Sequence, residues 1–226
     1  MTHGLHRRSL ARLSAVNETP TAQSWGFAED FVTSSDALRD ARYDAITTGE
    51  RPISNGVASL LTVLARAINA KTVAEIGTGT GASGLALFAG MVPDGVLTSI
   101  DPDADVQLRA RQAFTRAGLP SPRFRLIAGM PLEVLNKLRD GAYDLMFING
   151  DKLEYVEYVS AALRLLRPGG LLVLHDALWH NLVADVNNED DETVIIREAL
   201  EAVISSEAYI PALLPVGNGL LVAARR

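Results

Sequence analysis

No cysteine occurs in the 226 residues. Its absence removes disulfide frameworks, thiolate zinc sites and thiol nucleophiles together, and it suits a cytoplasmic protein. No apolar run reaches the roughly eighteen residues that a membrane span needs, so no membrane partner is expected. Positive charge is scarce as well: 21 Lys and Arg face 27 Asp and Glu, for a net charge of -6. No basic patch recurs along the chain, so a nucleic-acid partner is not expected either. Internal repeats and low-complexity linkers are missing, which argues for one domain.

The start of the chain carries bases and no acid. Residues 1–17 hold His3, His6, Arg7, Arg8 and Arg12 and no carboxylate. The tract is too short for a transit peptide, has no cleavage-like ending, and lacks the apolar segment of a secretory signal. It reads as a mobile basic arm ahead of a single domain over residues 18–226.

What is present is a hydrophobic share of 48%, enough for the core of one α/β domain. The stretch from Thr72 to Gly84 organises the rest. Thr72-Val73-Ala74-Glu75-Ile76 reads as a strand that breaks into glycines at 77, 79, 81 and 84, and Ala82 to Met91 has helical composition. A strand, a glycine-rich turn and a helix N-terminus together aim backbone N–H groups at a ligand. The loop lacks the Gly-Lys-Ser/Thr ending of a P-loop, which argues against a nucleoside triphosphate.

Two cofactors fit that loop. Gly79-Thr-Gly81-Ala-Ser-Gly84 satisfies the dinucleotide pattern, with Asp101 placed where a ribose-binding acid belongs. An NAD-dependent oxidoreductase is therefore one reading. Glu75 points to another, because a carboxylate beside the loop gains nothing from a pyrophosphate but attracts a cationic ligand such as S-adenosylmethionine.

The remaining chain alternates regularly. Trp25 to Ile46 has helical spacing and reads as one or two helices outside the sheet, 51–56 as a loop, and Val57 to Ile68 as a helix. Strands are expected over 96–100, 123–127, 143–148 and 171–174, with helices over 103–117, 131–138, 153–167 and 192–205. Strands alternating with helices predict a Rossmann-like doubly wound parallel sheet with ligands at the strands' carboxyl ends. Tyr209 to Pro215 and Leu220 to Ala224, joined through Gly217-Asn-Gly219, read as a hairpin that adds an antiparallel C-terminal strand.

Three stretches carry a family resemblance. Glu75-Ile-Gly77-Thr-Gly79-Thr-Gly81 resembles motif I of the class I methyltransferases. Phe147-Ile-Asn-Gly-Asp151-Lys152-Leu-Glu-Tyr155-Val-Glu-Tyr158 resembles the Asp-Ala-Asp-Lys-x-x-Tyr-x-x-Tyr segment of the catechol- and caffeoyl-CoA-type O-methyltransferases, a cation-dependent family. Arg167-Pro-Gly-Gly-Leu-Leu-Val-Leu-His-Asp176-Ala-Leu-Trp179 is similar to that family's Pro-Gly-Gly…Asp-Asn-x-Leu-Trp. The motifs keep the family's order and spacing from about Phe27 to the end.

The resemblance implies S-adenosylmethionine-dependent methyl transfer to a small hydroxylated, catechol-like acceptor, by a homodimer. It implies that Glu75, Gly77, Thr78, Gly79 and Ser83 line the methionine part of the cofactor and that Asp101 binds the ribose. Pro102 and the Gly129-Met130 turn would flank the adenine, Ile53 would contribute its backbone, and Asp151 is grouped with them. Lys152 is the implied general base, and such a lysine must be able to shed its own proton. Solvated positions for Lys152, a helix cap for Asp101 and a plain end-of-strand place for His175 are the competing readings. Tyr155 and Tyr158 read as packing residues.

The family's metal ligands are where the sequence departs. Their positions hold Asn149, Asp176 and Ala177. A hard divalent cation needs oxygen ligands and carboxylate charge, so only Asp176 and the amide of Asn149, itself a candidate acceptor-binding group, remain. A need for Mg²⁺ is therefore left open, with Asp151 and His180 as conceivable replacements, and so is a homologue whose catalytic site has decayed.

Overall fold

The computed structural model describes residues 20–226, so the basic arm lies outside the described residues. Strands β1 (Thr72–Ile76), β2 (Val96–Asp101), β3 (Phe124–Ala128), β4 (Tyr143–Ile148), β5 (Leu166–His175), β6 (Tyr209–Leu214) and β7 (Leu220–Arg225) form one sheet. Its order is β3-β2-β1-β4-β5-β7-β6. The first five pair in parallel, whereas β7 runs antiparallel to both β5 and β6. The doubly wound sheet with an antiparallel C-terminal strand is the expected fold class, and the closing strand is the part a plain dinucleotide half-domain lacks.

Helices cover both faces: α1 (Ala22–Glu29), α2 (Asp36–Thr47), α3 (Asn55–Ala67), α4 (Ala82–Gly90), α5 (Ala104–Arg116), α6 (Pro131–Leu135), α7 (Tyr155–Leu165) and α8 (Asp191–Ile204). Side chains of a strand alternate between faces. Along β4, Leu145 and Phe147 join one core with Val57, Leu61, Phe88 and Phe114. Met146 and Ile148 join the other with Tyr155, Tyr158, Ile196 and Leu221. All four β4 residues are buried, which is why the central strands read as unbroken apolar runs.

Some boundaries shift, with β5 beginning at Leu166 rather than Leu171. The stretch 25–46 resolves into two helices separated by residues 30–35, and the Ser35 side chain caps α2 by accepting from the Leu38 N–H. The helix expected over 153–167 is a 3₁₀ turn, Lys152–Glu154, followed by α7, which ends at Leu165. Pro168-Gly-Gly does not stop that helix. It is a bulge within β5, where the pairing passes from Tyr143↔Leu166 to Leu145↔Leu171. Asp144 pins this corner: its carboxylate accepts from the Lys71 and Thr72 N–H groups, both at 2.8 Å, and from Arg167 Nε at 2.6 Å. The helix expected to reach Leu138 ends three residues earlier, at Leu135.

Candidate active site

The carboxyl ends of β1, β2, β4 and β5 open into a cavity of ≈ 820 Å³. Three glycines make its floor possible. Gly77, Gly79 and Gly81 all have positive φ, at 85°, 50° and 93°, a region that costs other residues energy. Gly77 also lies against β4, where an added Cβ would sit 2.2 Å from the Asn149 carbonyl oxygen. Gly79 instead has open space, with only Glu50 Oε2 within reach of a Cβ at 3.3 Å. The α4 N-terminus follows at once, and Ala82 and Ser83 line the cavity.

Ile53, Gly77, Thr78, Gly79, Ser83, Asp101, Asn149, Lys152 and Asp176 converge on this one cavity. Glu75 lies beneath it and is fully buried. Its Oε2 accepts from Ser99 Oγ at 2.5 Å, and Ser99 Oγ is 2.7 Å from Thr78 Oγ1. Glu75 Oε1 has no hydrogen-bond partner among the described residues. Burial raises the Glu75 pKa to about 7 against the opposing pull of the Ser83 and Ser99 hydroxyls, and Asp101 adds to the rise. A buried carboxyl with an orphaned oxygen fits a cationic ligand, since a positive charge supplied there would satisfy the oxygen and favour the anion.

Asp101 ends β2 and binds the glycine loop directly: Oδ2 accepts from the Gly79 N–H at 3.2 Å, and Oδ1 from the Asp103 N–H at 3.0 Å. The cap of α5 is Asp103, whose carboxylate accepts from the Asp105 and Val106 N–H groups. Asp101 is thus free of capping duty. Pro102, Gly129, Met130 and Asp151 fall outside the cavity lining. The Gly129 N–H donates to the Asp101 carbonyl at 3.1 Å, which keeps that turn beside the β2 end. Asp151 is exposed and caps the 3₁₀ turn by accepting from the Leu153 N–H.

Lys152 is not solvated. Its ammonium lies 2.9 Å from Asp176 Oδ2, 3.2 Å from the Gly150 carbonyl and 3.5 Å from Asn149 Oδ1. The Tyr155 and Trp179 rings approach it at 5.0 and 5.6 Å, distances at which ring faces attract a cation. His175 Nδ1 is 2.9 Å from Asn149 Oδ1 and 3.4 Å from Asp176 Oδ1. Burial alone would raise the Asp176 pKa, but His175 and Lys152 outweigh it and hold the carboxyl well below the usual range. Tyr155 and Tyr158 are fully buried packing residues, although the Tyr155 hydroxyl also donates to the His175 carbonyl at 3.0 Å.

A divalent cation does not fit these residues. Asp176 is already engaged by Lys152, His175 and Asn218. Asn149 offers only an amide oxygen, and Ala177 is buried in the core with its N–H bonded to Gly219. The two conceivable replacements are also committed, Asp151 to its cap and His180 to Arg51. No group of three or more His, Asp or Glu able to hold a metal occurs among the described residues.

Sequence reasoning passed over Glu50 and Asn218, which also line the cavity. Asn218, at the hairpin tip, donates to Asp176 Oδ1 at 3.0 Å and accepts from the His180 N–H at 2.7 Å. The Asn between two glycines was read as turn chemistry only. The segment it holds is strained: Asp176, Trp179, His180 and Asn181 all have positive φ, a condition kept only where surrounding contacts enforce it.

Comparison with known proteins agrees with this geometry. A family model described as O-methyltransferase matches residues 32–226. A proposed O-methyltransferase of Mycobacterium sp. (strain JLS) is 44% identical over 198 residues, covering 88% of this chain and 90% of that protein. The crystal structure of a Corynebacterium glutamicum protein superposes with a TM-score of 0.82 at 33% identity, over 88% of this chain and 94% of that one. The O-methyltransferase TomG of Streptomyces achromogenes, involved in tomaymycin synthesis and crystallised with S-adenosylmethionine, shares the fold at a TM-score of 0.82 and 24% identity, over 92% and 99% of the two chains. With the sheet order, the glycine loop and a matching family model over nearly the whole described chain, the protein belongs to the O-methyltransferase family.

Proposed function

We propose that this protein transfers the methyl group of S-adenosylmethionine to a hydroxyl of a small catechol-like acceptor, without a divalent cation. The observation that carries the reading is the division of one cavity between Glu75 and Asp101 on one side and Lys152 on the other. Glu75, Gly77, Thr78, Gly79 and Ser83 would hold the methionine part of the donor, and Asp101 would accept from the ribose hydroxyls, as ionised carboxylates do well. Pro102, Gly129, Met130 and the Ile53 backbone would border the adenine side. When bound, the donor supplies a methyl group on a positively charged sulfur.

The chain's own residues then have two tasks. They bring the acceptor oxygen to a fixed place, a contribution that proximity alone makes large. Lys152 in its neutral form would accept the acceptor hydroxyl's proton, the oxygen would take the methyl group as the donor leaves as S-adenosylhomocysteine, and the ammonium so formed would present positive charge to the oxyanion. Asp176 and Asn149 hold that side chain in position, and His175 contacts both of them. We further propose that the molecule acts as a homodimer through α1 and α2, where Phe27, Phe31, Tyr43 and Ile46 are exposed.

Turnover with a panel of catechols, read as the mass of the methylated product in the presence of EDTA, tests the proposal. Product formation supports it. Binding of S-adenosylhomocysteine with no turnover on any catechol identifies a decayed catalytic site or a different acceptor.

A further inference from the structure

The cavity is electrically two-ended. Glu50 and Arg51, adjacent in sequence, both line it but face opposite ways. Glu50 turns to the cofactor side, where its Oε2 lies beside Gly79. There burial, and then the charges of Asp101 and Asp103, raise its pKa. Arg51 turns to the other side, where Nη1 lies 2.7 Å from His180 Nε2. A guanidinium can only donate, so in this contact the imidazole nitrogen is the acceptor.

No carboxylate pairs with Arg51 among the described residues. The one acid on that side, Asp176, is committed to Lys152, His175 and Asn218. The acceptor side therefore carries Lys152, His175, His180 and an uncompensated Arg51, walled by Trp179. A guanidinium keeps several donors in a planar fork after one bond to a ring nitrogen, and that fork matches a carboxylate. The position is at the mouth, since Arg51 and His180 are both exposed, whereas Lys152 is largely buried.

We propose that Arg51, steadied by His180, is a specificity residue for an acceptor that carries a carboxylate on the side opposite its reacting hydroxyl. The acceptor class is then a hydroxylated aromatic acid rather than a neutral catechol. This inference rests on the methyl-transfer reading of the same cavity.

Protocatechuate and its carboxamide, nearly identical in shape and different in charge, form the test. Each is titrated by calorimetry into the full chain saturated with S-adenosylhomocysteine, and each is assayed for kcat/KM. The acid is expected to bind and react roughly tenfold better, the scale of one charge-assisted contact at a partly exposed place. Raising salt should narrow the gap. Arg51→Gln should bring the ratio close to one, and Arg51→Lys should keep part of it, with thermal melting and S-adenosylhomocysteine affinity confirming an intact fold. An equal or reversed ratio in the unaltered protein overturns the inference and leaves methyl transfer standing. Failure of both compounds to bind while S-adenosylhomocysteine binds overturns the catechol-like reading and this inference with it.

Discussion

The Lys152 ammonium lies 2.9 Å from Asp176 Oδ2, with both side chains more than four-fifths buried. The pair joins the turn after β4 to the end of β5, and with Asn149 and the Gly150 carbonyl it surrounds one positive charge with protein oxygens. Breaking such a pair leaves a buried charge uncompensated.

Lys152→Met is therefore expected to lower the methylation rate by roughly 10²-fold or more, the lower range for losing acid–base assistance. EDTA should lower the rate of the unaltered protein only modestly. Complete loss in EDTA with recovery in Mg²⁺ would sink the metal-free account.

Glu75 predicts a pH effect on the cofactor-free protein. Its folded pKa is about 7 against an ordinary value of 4.5. Between those values the folded state holds a proton that the unfolded chain has released, so stability falls as pH rises through this window. From pH 6 to pH 8 the loss from this group is on the order of 1 kcal/mol. Glu75→Gln should remove that slope in thermal melts and weaken S-adenosylhomocysteine at pH 8. A melting curve whose pH dependence is unchanged by the substitution would count against the assignment.

Asp101→Ala should weaken S-adenosylhomocysteine by about 1.5–3 kcal/mol, the range for hydrogen bonds to a charged group. Asp103 caps α5, so the helix should survive, and circular dichroism should show unchanged helicity. An unchanged dissociation constant would leave Asp101 only its bonds to the Gly79 and Asp103 N–H groups.

Gly77 and Gly79 should respond differently to alanine. At Gly77 the new methyl meets the β4 backbone at 2.2 Å, so Gly77→Ala should cost folding and lower the melting temperature by several degrees or more. At Gly79 the space is open apart from Glu50 Oε2, so Gly79→Ala should cost only the strain of its positive φ, less than the clash at Gly77, and lose cofactor binding. Equal effects in melting and calorimetry would refute the distinction.

Homodimer formation through α1 and α2 predicts a dimeric mass by light scattering at micromolar concentration. Phe27 and Phe31 are 70% and 73% exposed, with ring centroids 5.9 Å apart. Phe31→Asp should shift the mass to the monomer. A monomer from the unaltered chain rules the proposal out.

Much of the fold was legible because its signals are local. β1, the glycine turn and α4 follow one another in sequence, and the apolar runs of β4 and β5 declare buried strands. Pro168-Gly-Gly misled because proline and glycine punctuate both helix ends and bulges, and only the pairing partner across the sheet decides between them. In the site, Glu75 and Lys152 could be found from motif positions. The clamp by Asn218 could not, because it spans 42 residues to Asp176 and depends on β7 reversing direction. The contact between Arg51 and His180, 129 residues apart, was hidden for the same reason.

The reversal of β7 has one more consequence. Because β6 runs with the parallel strands and β7 against them, their turn returns to the edge where the other strands end, and Gly217 and Asn218 reach the cavity. On the proposed reading, the donor's half of the cavity is built mostly from the stretch around β1 and β2, with Glu50 and Ile53 added to it, whereas the acceptor's half is assembled from the Arg51 loop, the turn after β4, the segment after β5 and the hairpin. A lengthened hairpin or an altered 176–181 segment would reshape the second half and leave the first untouched. On that division, a different acceptor calls for different loops only, and the methyl-donor chemistry stays fixed.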